Sequence, residues 1–216
     1  MTAYFLFEGE QLVCAAVAAK PSYDGPMSRT TLKMLIAVVL PPAAIAILGT
    51  THPQHLTQDD SLFWRNLHVV LLPLFPLLAL GPGLVAKSVD AKFGRIALLL
   101  GFVFATFYTA LDVLAGIGAG GLKHEGKNGL GVLFDLASTL GEVGSIAFIG
   151  ATAIAAGCVI HVAKWKALPG TLLVLAGAFG FMEEHVYWPG GVLSMVALAA
   201  GWALLVGAQR YGDEHA

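Results

Sequence analysis

The chain has 216 residues, of which 57% are hydrophobic and 12% are charged, whereas roughly a quarter of the residues of a soluble domain carry charge. Its 12 basic and 14 acidic residues give a net charge of −2, which leaves no polybasic face for nucleic acid. The composition therefore excludes an ordinary soluble domain and predicts a protein whose first partner is a lipid bilayer.

Residues 1–26 precede the first apolar run and differ from the rest of the chain. They carry Glu8 and Glu10 and lack the basic leading region of a cleavable signal peptide. We expect this N-terminal extension to be disordered or to lie on the membrane surface. Residues 27–216 show no internal repeat and no linker, so we expect them to form a single transmembrane domain.

Six apolar runs follow, each close to the ~20 residues that a helix needs to cross the ~30 Å hydrocarbon core. In chain order these spans are residues 32–49, 67–86, 96–119, 133–161, 168–182 and 190–208. The fifth reaches full length only if its helix continues through residues 183–187. The pattern predicts an all-α fold, a six-helix transmembrane bundle.

Lysine and arginine fall mostly on one side of the predicted membrane. This side carries Arg29, Lys33, Lys87, Lys92, Arg95, Lys164, Lys166 and Arg210. Short cytoplasmic loops retain basic residues. The bias therefore predicts that the N and C termini are both cytoplasmic and that the loops after spans one, three and five face outward.

Prolines stand in the middle of the first two spans, at Pro41, Pro42, Pro73 and Pro76. A proline inside a helix removes one hydrogen bond and kinks the helix axis. Such kinks serve the packing of neighbouring helices. The functional alternative is that they open a pocket between spans one and two.

Most of the histidines fall on the predicted outer side. They are His52, His55, His68, His124 and His185. A helix that begins at Asp60 or Ser61 places His68 about two turns inside the second helix, just within the membrane. Trp64 and Tyr187 fit an aromatic belt at the same interface.

Two carboxylates are expected to be buried at greater depth, Asp112 in span three and Glu142 in span four. Tyr108, Asp112 and Gly116 follow one another at intervals of four residues and share one helix face. An ionised carboxylate at this depth costs about 3 kcal/mol. Both acids should therefore face the interior of the bundle and need a proton, a partner or a bound cation.

The run "GFMEEHVYWPGG" places two carboxylates and a histidine side by side at the outer end of span five. We predict that they cap an outward-facing pocket whose floor is Asp112 and Glu142. The candidate metal ligands are His68, His185, Glu183, Glu184, Asp112 and Glu142. Accessory roles are expected for His52, His55, Arg65 and Tyr108, with Arg65 beside His68 in the opposite wall.

Binding or translocation of a small cation, either a metal ion or a proton, is the function that this pocket favours. Imidazole and carboxylate groups together suit a divalent transition metal as cofactor. Broken helices, buried acids and a titratable histidine are also typical of proton-coupled carriers. A carrier with only six spans would be expected to work as a homo-oligomer.

Three alternative functions stay open. The first is a membrane-embedded metal-dependent enzyme with an acid and base pair at Asp112 and Glu142. The second is a haem protein with His68 and His185 as axial ligands. The third is a non-catalytic membrane assembly partner, in which the acids only form hydrogen bonds between helices.

The runs "FYTALDVLAGIGAG" and "HVYWPGGVLSM" resemble those of uncharacterised small bacterial polytopic integral membrane proteins. The resemblance covers most of residues 30–208. It implies a fold and, with it, a multi-pass location in the cell membrane, the bacterial inner membrane. It implies no activity.

Overall fold

The structure, a computed structural model, describes residues 27–213, with side chains as far as Arg210. Over this range the chain is helical and contains no strand, which confirms the all-α prediction. The helices are α1 (Arg29–Gly49), α2 (Ser61–Leu71), α3 (Leu74–Leu78), α4 (Leu80–Val89), α5 (Ala91–Leu111), α6 (Ala119–His124), α7 (Leu130–Ala163), α8 (Leu168–Glu184) and α9 (Gly190–Asp213). A π-helical segment, Asp112–Gly118, joins α5 to α6. The predicted extension, residues 1–26, lies outside the described residues.

Several stretches of helix in the described chain are long and apolar enough to cross a membrane. They are Arg29–Gly49, Ser61–Val89, Ala91–His124, Leu130–Glu184 and Gly190–Arg210, with mean hydropathies of 2.0 to 2.2. Helices of this kind are typical of a multi-pass membrane protein. The six predicted spans become five such stretches, because α7 and α8 fall within the fourth.

A short 3₁₀ turn, Lys164–Ala167, separates α7 from α8. Lys164 ends α7 with a φ of 53°, and α8 runs back along α7, since the end of α8 and the start of α7 line the same cavity. Helix α8 has 17 residues and stops at Glu184. The helix therefore continues through Glu184 but not through residues 185–187, because His185 takes a φ of 51°.

The prolines act differently in the first two spans. Pro73 and Pro76 accompany the division of the second span into α2, α3 and α4, as expected where a proline removes a helix hydrogen bond. Pro41 and Pro42 are both buried inside α1, which stays a single helix.

Aromatic rings fill the centre of the bundle between α3, α5, α7 and α8. The Tyr108 ring lies 4.9 Å from Phe75 and 4.7 Å from Phe181, and Phe104 lies 4.8 Å from Phe148, between ring centroids. Pairs at these distances add to the stability that burial of the rings provides. Tyr108 is thus held rigidly with its hydroxyl group toward the loops.

The outer faces of the helices carry large apolar side chains. Ile47, Phe102 and Leu172 are 70%, 68% and 69% exposed. In water so much exposed apolar surface would drive association. In a bilayer the same side chains contact lipid, which agrees with the hydropathy of the helices.

Three connections meet at one end of the bundle, which we call the loop end: residues 50–60, 125–129 and 185–189. Gln54 Nε2 donates to Trp188 O at 2.5 Å, and Gln58 Nε2 donates to His124 O at 3.0 Å. These hydrogen bonds tie the connection after α1 to the segment after α8 and to the end of α6. Residues far apart in sequence can therefore form one site here.

Close packing of α8 against α9 generates a prediction about glycine. A Cβ atom at Gly177 would lie 2.7 Å from Ser194 O, whereas one at Gly157 on α7 would meet nothing within 4 Å. We expect Gly177→Ala to destabilise the protein by about 1–3 kcal/mol through overpacking. Gly157→Ala should be neutral or slightly stabilising, because alanine favours helix. Melting temperatures in detergent measure both effects, and equal values for the two variants would contradict this packing.

Candidate metal centre

Three histidines from three separate segments converge at the loop end. His52 follows α1, His68 lies in α2 and His185 follows α8. One ring nitrogen of each lies within 4.8 Å of the other two. His52 and His68 are only 5% and 2% exposed. We call these three residues the histidine cluster.

The end of α1 directs His52 toward the cluster. The backbone N–H of His52 donates to Gly49 O in a turn that closes the helix. A Cβ atom at Gly49 would lie 2.6 Å from Val186 O, so glycine permits α1 to end directly against the segment that carries His185. This close approach places the first and third histidines side by side.

Backbone carbonyl groups determine the tautomers of two of the rings. His52 Nδ1 lies 2.7 Å from Pro53 O, and His68 Nδ1 lies 2.7 Å from Trp64 O. A carbonyl oxygen can only accept a hydrogen bond, so each Nδ1 carries the proton. In the neutral rings, each Nε2 therefore presents a lone pair.

The two Nε2 atoms of His52 and His68 face each other at 3.4 Å. Two lone pairs at this distance repel each other unless a cation lies between them. Two nitrogen ligands of a tetrahedral metal ion, each ~2.0–2.1 Å from the metal, are themselves roughly 3.4 Å apart. The spacing is therefore the one that a shared metal ion requires.

His185 is held from the opposite direction. Its Nδ1 forms a hydrogen bond of 2.5 Å with the Tyr108 hydroxyl group, and its ring stacks on His68 with 6.3 Å between centroids and 9° between planes. The φ of 51° at His185 is unusual for a residue with a side chain and costs about 1–3 kcal/mol. The contacts around the ring hold it in this conformation.

The π-helical segment packs against α2 beside the cluster. Trp64 Nε1 donates to Ala115 O at 3.0 Å. A Cβ atom at Gly116 would lie 2.1 Å from His68 Cδ2, so only glycine leaves room for this ring. Single π turns inside α-helices are frequent at functional sites.

Burial favours the neutral form of the His52 and His185 rings. Burial lowers the pKa of His52. Burial, together with the neighbouring rings of His68 and His52, lowers the pKa of His185 well below its ordinary value. Burial also raises the pKa of Tyr187, whose ring lies 4.6 Å from that of His52, to about 12. Neutral imidazole is the form that binds metal ions.

A cavity of about 400 Å³ opens beside the cluster, between α2, α5, α7 and α8. Its walls include His68 and His185 together with three carboxylate side chains, Glu142, Glu183 and Glu184. All three carboxylate residues are exposed. Five of the six predicted metal residues thus border one space.

The expectation that Glu142 is buried is wrong. Glu142 is exposed, because its face of α7 borders the cavity and not another helix. The alternative in which proline kinks open a pocket between spans one and two does not describe this cavity, since no residue of α1 lines it. The kinks at the prolines therefore do not form this cavity.

The other predicted residues occupy different environments. Asp112 has no exposed surface and does not line the cavity. Arg65 donates to Asn66 Oδ1 at 3.3 Å and is absent from the cavity walls, so its expected place beside His68 in the wall is wrong. His55 is exposed and lies outside the cluster. Of the accessory set, only His52 and Tyr108 take part in the cluster or its hydrogen bonds.

Sequence patterns understated two residues of this site. The sequence predicts for His52 only the accessory role that it also predicts for His55, whereas of these two rings only His52 belongs to the cluster. Trp64 was expected in an interfacial belt, yet it is 2% exposed and its ring lies 4.7 Å from that of His52. The spacing of four residues between Trp64 and His68 was the available signal.

No family model matches this chain, and no curated protein or solved structure matches it. Function is therefore inferred from the chemistry of the site.

The lowered pKa values predict how the metal-free protein responds to pH. Below about pH 6.5, histidines of the unfolded chain take up protons, whereas His52 and His185 in the folded chain stay neutral. The unfolded state then binds more protons, so stability should fall as the pH is lowered from 6.5 toward the folded pKa values. Melting temperatures of chelator-treated protein between pH 7.5 and 5.5 measure this.

The double variant His52→Gln and His185→Gln should show a flatter pH dependence than the wild type. The matched control His55→Gln removes an exposed ring and should keep the wild-type slope. Identical slopes in all three proteins would contradict the burial of neutral rings.

Proposed function

We propose that this chain is a multi-pass protein of the bacterial inner membrane that binds a divalent transition-metal ion through His52, His68 and His185. Its loop end faces outward and both termini are cytoplasmic. One observation carries the proposal: the Nε2 atoms of His52 and His68 face each other at 3.4 Å while carbonyl groups hold both Nδ1 protons.

The donor set favours particular metals. Three imidazoles suit zinc, copper, nickel and iron, whereas magnesium and calcium prefer oxygen ligands. Cys158 supplies no thiolate here, since it borders a different cavity beside Asp90. Each histidine also has a hydrogen-bond partner at Nδ1. The carbonyl partners of His52 and His68 accept the Nδ1 protons, and partners that accept this proton orient metal-binding imidazoles and increase their basicity.

The carboxylate-lined cavity provides a route to the cluster. Glu142, Glu183 and Glu184 border the same space as His68 and His185. Clefts lined by charges of one sign raise the local concentration of counter-ions and their rate of association. Three protein nitrogens would also leave a coordination position open for water or a further ligand.

The geometry disfavours two of the alternatives raised by the sequence. A haem iron cannot be bound by His68 Nε2 without displacing His52, whose own Nε2 lies 3.4 Å away. An acid and base pair of Asp112 and Glu142 is disfavoured because Glu142 lines the cavity and Asp112 does not. Cation binding is the function that the contacts support best.

The proposal predicts a stoichiometric metal site. We expect detergent-purified protein, loaded with zinc and freed of excess, to retain about one ion per chain. His52→Ala, His68→Ala and His185→Ala should each lower the affinity at least 10-fold to 100-fold, since even the loss of outer partners costs that much. Elemental analysis and titration measure this.

His55→Ala is the matched control, because His55 comes from the same loop but lies outside the cluster. It should bind zinc as the wild type does. Wild-type protein that retains no zinc, copper or nickel after loading would end the proposal.

The cavity acids should govern the rate at which the ion arrives. We expect the double variant Glu183→Gln and Glu184→Gln to slow metal association roughly 10-fold at low salt. The difference should shrink at high salt, because salt screens exposed charges. Stopped-flow quenching of tryptophan fluorescence by copper measures the rate, since Trp64 adjoins His52.

Asp135→Asn is the matched control for this experiment. Asp135 is an exposed acid of α7 that does not line the cavity, so its neutralisation should leave the rate nearly unchanged. Equal rates in the double variant and the wild type at low salt would exclude the cavity as the route.

A further inference from the structure

Asp112 is buried without a partner. It has no exposed surface, and neither carboxylate oxygen accepts a hydrogen bond from any described residue. An unpaired carboxylate in an apolar interior is costly, so such groups are normally paired with a cation or hydrogen-bonded. Among the described residues no group neutralises this carboxyl group or donates a hydrogen bond to it, so a bound ligand is a candidate for its partner.

The helical segment that carries Asp112 contacts the histidine cluster at one position before Asp112 and at another position after it. Four residues before it, the Tyr108 hydroxyl group bonds to His185 Nδ1. Four residues after it, Gly116 lies against the ring of His68. Four residues make about one turn, so all three positions share one face of the helix. The Asp112 carboxyl group therefore lies on the face that is turned toward the rings.

Asp112 nevertheless does not belong to the close set of ligand atoms, which comprises the three histidines. Its effect on a bound ion would be through its charge. Three neutral imidazoles leave the whole charge of a divalent ion uncompensated. The cavity carboxylates are exposed, and water screens them more strongly than it screens a buried group.

We propose that Asp112 supplies the buried counter-charge for the ion held by the histidine cluster and thereby selects a divalent ion over a monovalent one. This inference rests on the proposed function. Coulomb energy is proportional to the charge of the ion. Removal of the carboxylate charge should therefore cost a divalent ion about twice the binding free energy that a monovalent ion loses.

The test compares Zn²⁺ with Ag⁺ on the full chain in detergent after removal of metal. For Asp112→Asn, the fold-loss of Zn²⁺ affinity should be about the square of the fold-loss for Ag⁺, for example ~100-fold against ~10-fold. Asp135→Asn, which neutralises an exposed carboxylate of α7 that does not line the cavity, should change either affinity less than about threefold. Calorimetric titration measures all of these values.

The outcomes distinguish an effect of the Asp112 charge on the bound ion from structural damage to the site. Damage to the site would weaken Zn²⁺ and Ag⁺ equally, so equal losses or no losses in Asp112→Asn would overturn the proposal. If Asp112→Asn does not fold, Asp112→Ser removes the same charge and is subject to the same criterion. Wild-type protein that binds neither ion refutes the metal site itself, whereas zinc binding with unchanged selectivity in the variant refutes only the counter-charge.

Discussion

Two backbone carbonyl groups determine the chemistry of the loop end. Because Pro53 O and Trp64 O accept the Nδ1 protons of His52 and His68, the Nε2 lone pairs of the two rings must face each other. This contact is unfavourable when nothing lies between the rings. The surrounding structure therefore has to hold the rings in place, and the same rigidity prepares them for a cation.

Rigidity comes from close approaches between backbone and ring that larger residues would prevent. Gly49 lets α1 end against Val186 O, and Gly116 lets the π-helical segment pack against His68. In a membrane the hydrophobic effect gives little preference for one helix contact over another, so close packing and buried hydrogen bonds decide how helices associate. The glycines of this chain therefore position the site as well as pack the bundle.

The all-helical fold and the approximate extent of most helices could be predicted from sequence because lipid imposes a simple condition: backbone groups in the hydrocarbon must be satisfied within the helix. The grouping of histidines and acids at one end of the bundle followed from the same reasoning. Glu142 shows where this reasoning from sequence fails. The sequence predicts that Glu142 faces the interior of the bundle, but whether its helix face meets another helix or a cavity depends on neighbouring segments that the sequence pattern does not describe.

The sequence by itself determined that this is an apolar helical protein in which most of the scarce acids and imidazoles lie toward one end, since composition and periodicity decide how each segment meets lipid. Only the tertiary structure decided that His52 belongs with His68 and His185 while His55 does not. That choice depends on contacts among chain segments far apart in sequence, and on the direction in which the chain leaves α1 and α8. For Asp112, the sequence predicted burial, whereas only the tertiary structure showed that its carboxyl group has no hydrogen-bond partner among the described residues.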